Sequence, residues 1–329
     1  MDYARVAGID KPISRIVFGT DRLHGRPLPL VRSRTLEQQA FSLMDRSFEL
    51  GCNTFDTARI YWDSERTLGA WIRERRNRDE VVVISKGCHH HLLSRRPRLS
   101  ASDVSHDLHA SLKALGTDFV DLYLLHFDHP SARIEPLIER LNRHIDEGKI
   151  RAIGASNWSH ERIATANAFA DSAGLKPFSA SSAQFSLAEW TRPPWPGGVT
   201  LGGDGARGAR EWYAAHGLPV FAYSSLARGF FSDHYDPKDP GANRRSRWCA
   251  TYFGTDRNIE RLERARTFAR EHDATVAQVA LAYVLRHPLQ PFAVVGCSTF
   301  EKFAENVGAL SLKLNEATLH WLDTGQTAR

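Results

Sequence analysis

The sequence predicts an α/β fold, a closed (β/α)8 TIM barrel in a single domain over residues 1–329, with long loops at the C-terminal mouth. Three observations carry this. Eight short apolar runs alternate with amphipathic helical segments, and eight such units favour a closed barrel over an open sheet. Runs such as Val81-Val82-Val83-Ile84 are apolar throughout, as parallel strands covered on both faces must be. No linker or internal repeat divides the sequence.

The elements follow in order. Ala4 to Ser14 predicts a small hairpin at the end opposite the mouth. Strands are expected at Ile13–Thr20, Asn53–Ala58, Val81–Gly87, Phe119–His126, Ile150–Ser156, Phe178–Phe185, Pro219–Ser225 and Pro291–Ser298. Thr35-Leu36-Glu37-Gln38 has the spacing of a capping box, with Leu36, Ala40, Leu43, Met44 and Phe48 on one face and Gly51 as the stop. Ser100 to Asp103 opens another helix, with Val104, Leu108, Leu112 and Leu115 inward and Gly116 closing it. Ile134, Leu137, Ile138, Leu141 and Ile145 form a further stripe, ended by Gly148. Helices are also expected at 64–75, 159–173, 206–216, 258–272, 276–287 and 299–310. Two long connections, Leu187 to Gly205 and Leu226 to about Arg257, follow strands and so belong to the mouth, where barrel enzymes keep their sites.

Composition narrows the function. The net charge of +5 is small, and the densest basic stretch, Asn243 to Arg247, is short and reads as loop, so no nucleic-acid partner is expected. No segment approaches the ~20 apolar residues of a membrane span. Met1 to Arg15 lacks a basic segment followed by an apolar run, so no signal peptide is expected. Cys52, Cys88, Cys249 and Cys297 form no close pair, which fits a reducing compartment and a cytoplasmic location.

Three motifs are set aside. Gly203 to Gly208 matches G-x-G-x-x-G but lacks the preceding strand and the downstream acid. His89-His90-His91 lie on adjacent residues, which point alternately, so no metal site is expected. Asn157-Trp158-Ser159 is a glycosylation sequon that matters only in a secreted protein.

Four polar residues stand out by position. Asp56 ends the second strand, Tyr61 follows it, Lys86 ends the third and His126 ends the fourth. Neighbouring strands lie ~4.8 Å apart, so these side chains can converge. Taken singly, an Asp–Lys pair is a structural ion pair and a lone His is a hydrogen-bonded core residue. Together the four form an acid–base set.

These residues and their surroundings resemble the aldo-keto reductases over nearly the whole chain. The resemblance rests on Gly51–Tyr61, Ile84-Ser85-Lys86-Gly87, Leu124-Leu125-His126, Gly154–Trp158, Gln184, Tyr223–Gly229, Val295–Thr299 and Glu305-Asn306. It looks nearest to bacterial members with the long Trp/Pro loop and the Ala227–Phe231 segment. The resemblance implies a catalytic tetrad of Asp56, Tyr61, Lys86 and His126, with reversible hydride transfer between a nicotinamide and a carbonyl. A phenol near pKa 10 is a poor acid at neutral pH, and an adjacent ammonium would favour its phenolate. Asp56 would orient Lys86, and His126 would hydrogen-bond the substrate oxygen.

The resemblance also implies a cofactor set: Thr20 among the cofactor contacts, Ser156, Asn157 and Gln184 at the carboxamide and Tyr223 stacked on the nicotinamide. Ser224, Leu226, Arg228 and Gly229 fall in the pyrophosphate segment; Gly296, Ser298, Thr299 and Lys302 would meet a phosphate at a helix N-terminus, and Glu305 and Asn306 the adenine. The implied cofactor is NADP as NADPH, with NAD admissible because Lys302 replaces the usual Arg and loses its bidentate fork. Trp62, His89, Phe127, Trp158 and Trp190 are the expected substrate pocket, and Trp62 and Phe127 depart from the family pattern. The expected partner is a small-molecule carbonyl, the oligomeric state being left open with a monomer admissible. The alternative is an NADPH-binding sensor or accessory subunit without significant turnover.

Overall fold

The computed structural model describes residues 1–23, 34–91, 96–232 and 235–326. The chain divides into two compact units, Met1–Ser182 with Gly296–Phe300, and Ala183–Val295 with Glu301–Arg329.

The first unit opens with the expected hairpin: β1 (Tyr3–Ala4) pairs antiparallel with β2 (Ile13–Ser14). Six parallel strands follow, β3 (Ile16–Gly19), β4 (Thr54–Asp56), β5 (Val82–Gly87), β6 (Val120–Leu125), β7 (Ile150–Ser156) and β8 (Ala180–Ser182), each paired with the next. Nearly every strand residue is buried, which explains the unbroken apolar runs in the sequence. Between them lie α1 (Arg34–Glu49), α2 (Ser64–Arg75), α3 (Ala101–Leu115), α4 (Glu135–Asp146) and α5 (His160–Ser172). The capping box at Ser100 and Asp103 forms, and Gly116 ends α3 in the left-handed conformation that glycine adopts without a Cβ clash.

Helix α1 departs from expectation. It already includes Arg34, so Thr35 lies inside the helix and is not its N-cap. Leu36 is 42% exposed, and Phe41 joins Ala40, Leu43 and Met44 in the core. The first predicted strand is interrupted at Arg15, whose amide turns back to the Asp2 carbonyl.

The second unit holds β9 (Phe221–Ala222), parallel to β10 (Phe292–Val295), with Phe221 opposite Phe292. Its helices are α6 (Arg207–His216), α7 (Arg244–Phe253), α8 (Asp256–Glu271), α9 (Val276–Arg286), α10 (Phe300–Gly308) and α11 (Glu316–Thr324). The basic stretch read as loop is the start of α7: the Asn243 side chain caps it, accepting the amides of Arg245 and Ser246. Gly203, the first glycine of the discarded motif, precedes a single 3-10 turn (Asp204–Ala206) leading into α6.

Candidate active site

All four residues of the acid–base set lie in the first unit, and the structure brings them together. Pairing places Asp56 opposite Ile84 and Lys86 opposite Leu124, so β4, β5 and β6 deliver their polar ends side by side. The ladder continues past β4: Thr57 donates its amide to Ile84, and Arg59 to Lys86. His126 donates its amide to the Gly87 carbonyl at 2.8 Å.

Lys86 and Asp56 are each 4% exposed. The Lys86 ammonium donates to Asp56 Oδ1 at 2.7 Å and to the Thr57 carbonyl at 3.0 Å. It lies 5.0 Å from the centre of the Tyr61 ring. Burial pushes the Asp56 carboxyl up, against the pull of Lys86. Asp56 Oδ2 is buried without a hydrogen-bond partner among the described residues, and the carboxylate meets Lys86 through Oδ1. Tyr61 is held by a tight turn, its amide on the Ala58 carbonyl and its own carbonyl capturing Ser64 N–H.

His126 sits edge-on to Tyr61, ring centres 6.0 Å apart at 83°. Burial, then Lys86, His89 and His90, hold its imidazole well below the ordinary histidine range, so it is neutral at physiological pH. Its Nδ1 is buried and has no hydrogen-bond partner among the described residues.

Of the pocket residues, His89 packs edge-on to both His126 (5.0 Å) and Phe127 (5.1 Å), and Phe127 stacks on His126. Trp62, 59% exposed, follows Tyr61. Trp158 is 1% exposed and packs edge-on to Phe178, so it presents almost no surface. Trp190, in the second unit, packs edge-on to Trp195.

Thr20 is buried and donates its hydroxyl to the Asp56 carbonyl at 3.0 Å. Ser156 ends β7, and Asn157 follows with φ 57°, donating its side-chain amide to the His126 carbonyl at 3.1 Å and to Ser156 Oγ at 3.2 Å. Gly296, Ser298 and Thr299 precede α10 and are exposed.

In the second unit, Gln184 is buried, bridging the strand-like segments of Thr200 and Tyr223. Tyr223 lies 6.0 Å from Trp195. Ser224, Ala227, Arg228 and Gly229 all have positive φ, and Arg228 lies over Trp248 at 5.0 Å. Lys302 is exposed in the first turn of α10; Glu305 accepts from Gln278 through its carbonyl, and Asn306 is buried.

Sequence reasoning missed Asp107. It lies on the buried side of α3, 3% exposed, and its carboxylate accepts the Cys88 amide at 2.8 Å and both Arg98 Nη groups at 2.6 and 2.9 Å. The available signal was an acid set among the inward positions Val104, Leu108 and Leu112.

A family model described as "Aldo/keto reductase family" matches residues 15–324. The chain belongs to the aldo/keto reductase family. An aryl-alcohol dehydrogenase from Pestalotiopsis microspora is 29% identical over 297 residues, covering 88% of this chain and 73% of that one. A probable aldo-keto reductase from Glycine max is 29% identical, covering 93% of this chain and 84% of that one. A norsolorinic acid reductase from Aspergillus flavus is 26% identical, covering 87% and 71%. These relatives are fungal and plant, so the likeness to bacterial members is not borne out.

A crystal structure of a thermostable aldo-keto reductase in complex with the inhibitor epalrestat superposes with TM-score 0.72 at 22% identity, covering 98% of this chain and 99% of that one. The fold is thus the expected (β/α)8 barrel. This reductase is an NAD(P)H-dependent oxidoreductase acting on carbonyl or alcohol groups.

Proposed function

We propose that this reductase reduces small aldehydes or ketones with NADPH, Tyr61 acting as the general acid. The observation that carries the reading is the Lys86 ammonium, fixed by Asp56 and the Thr57 carbonyl within 5.0 Å of the Tyr61 ring centre. When bound, the nicotinamide supplies the hydride. The carbonyl oxygen then gains negative charge and needs a proton. His126 is neutral and its burial opposes a second proton, which makes it a hydrogen-bonding partner for that oxygen and leaves Tyr61 to supply the proton. Lys86 stabilises the phenolate left behind. Asp56 keeps Lys86 in place. His89, Phe127 and Trp62 border the reacting group, while Trp158 acts at most through packing.

The side chains toward the cofactor fit its groups chemically. Ser156, Asn157 and Gln184 complement a carboxamide, donor for acceptor, with Thr20 behind Asp56. Tyr223 offers a ring face; Ser224, Leu226, Arg228 and Gly229 supply a turn and a cation for a pyrophosphate. Gly296, Ser298 and Thr299 lead into α10 and Lys302 lies in its first turn, where the N-terminal amides and dipole favour a phosphate. Glu305 and Asn306 are assigned to the adenine. NADP is therefore the preferred cofactor and NAD the weaker one. The reaction calls on no metal.

Stopped-flow mixing of enzyme and NADPH with a panel of aromatic and aliphatic aldehydes tests the reading. Rapid, multiple-turnover oxidation of NADPH is expected. Tight NADPH binding without oxidation across the panel would favour the sensor alternative.

A further inference from the structure

We propose that Asp107, outside the tetrad, is a positioning residue for His126 and His89, acting through the Gly87–Cys88 peptide. The inference rests on the proposed role of His126 in carbonyl reduction.

A single peptide plane joins the Gly87 carbonyl to the Cys88 amide. Its carbonyl accepts the His126 backbone N–H at 2.8 Å, and its N–H donates to Asp107 Oδ2 at 2.8 Å. The carboxylate therefore polarises the same peptide that holds the His126 backbone, and hydrogen bonds in such a chain strengthen one another. This plane has little room to move. A Cβ on Gly87 would come within 1.9 Å of Tyr123 Oη and 2.9 Å of Asp107 Cβ. Glycine at 87 thus lets the strand end lie against β6 and α3.

The next residue makes the clamp necessary. Cys88 is 2% exposed with φ 63°, a left-handed conformation that a non-glycine residue avoids. Something must hold it there, and the Asp107 carboxylate on its amide is placed to do so. From Cys88 the chain turns into His89, whose ring meets His126 edge-on at 5.0 Å. Arg98 extends the clamp. Both its Nη groups bind Asp107, and Nη1 reaches the His89 carbonyl at 3.5 Å. The loop after β5 is thereby tied to α3 at two points, and His126 takes its setting from both.

The test is a double-mutant cycle on the full chain, read by kinetics and by imidazole nitrogen NMR. Asp107→Asn should lower kcat by about 10- to 100-fold, the size expected when a reacting group is displaced by about an ångström. The dissociation constant of NADPH should stay within about 2-fold of wild type, since displacement of His126 removes no phosphate or adenine contact. Because glycine adopts positive φ freely, adding Cys88→Gly should restore much of the lost kcat. The His126 ring resonances should shift in Asp107→Asn and return toward wild type in the double variant. Arg98→Gln, at a side chain 20% exposed, offers a milder disturbance should Asp107→Asn fail to fold, and should shift the same resonances. A folded Asp107→Asn with unaltered kcat would overturn the proposal. So would a kcat loss accompanied by wild-type His126 resonances, or an Arg98→Gln variant that leaves those resonances in place when Asp107→Asn does not fold. Should the wild type reduce no carbonyl, the functional reading fails while the resonances still test the clamp.

Discussion

At position 302 a lysine stands in the first turn of α10, with Ser298 and Thr299 just ahead of the helix. The 2′-phosphate of NADPH would gain from the positive helix end and the ammonium, whereas the hydroxyl of NADH would gain little. Glu301 in the same turn opposes part of that gain. Lys302→Ala is expected to raise the dissociation constant of NADPH by roughly 5- to 10-fold and leave NADH nearly untouched, with the difference shrinking as salt rises. Equal losses for both cofactors in fluorescence titrations would reduce Lys302 to a solvated helix residue. At this scale much of the site was legible. Asp56, Lys86 and His126 could be read because strand ends converge by geometry alone. Asp107 could not, because its role depends on a left-handed Cys88 that no sequence pattern announces.

Among the elements, α2 and α3 show steric fit overriding helix propensity. Gly69 is buried within α2, and a Cβ there would lie 1.9 Å from the Leu115 carbonyl oxygen at the end of α3. Propensity alone says that Gly→Ala in a helix gains about 1 kcal/mol. The clash is with backbone and cannot be relieved by a rotamer, so Gly69→Ala should destabilise by about 3 kcal/mol. Chemical denaturation would show it as a lowered midpoint at unchanged slope, and a raised midpoint would refute the argument. Most helices were legible from their stripes and stops, including Ser64–Arg75 to the residue. Helix α7 was not, because its first turn is dominated by arginines. Its buried Ser246, Cys249 and Phe253 nonetheless follow helical spacing. Strand limits came out too long at β8 and β9, where the ladder spans only Ala180–Ser182 and Phe221–Ala222.

At the scale of the whole molecule, none of the four cysteines is in a disulfide, and all four are buried. Burial pushes the thiols of Cys52 and Cys249 up to about 11 and that of Cys88 higher still. Thiolate is the reactive form, so a disulfide reagent should label the native protein slowly and release four equivalents only in denaturant. Fast labelling of one equivalent in the native state would contradict this burial. Among the described residues no helix is long and apolar enough to cross a membrane. The architecture was legible because strand–helix alternation recurs eight times, and the (β/α)8 fold bears it out.

In the proposed reaction Tyr61, set beside a fixed Lys86 ammonium, delivers the proton. Steady-state turnover and NADPH titration of Tyr61→Phe test it most directly. The kcat of this variant is expected to fall by at least about 100-fold, the size of general acid catalysis, with the NADPH dissociation constant within about 2-fold of wild type. A variant keeping more than about a tenth of the wild-type kcat would place the proton donor elsewhere.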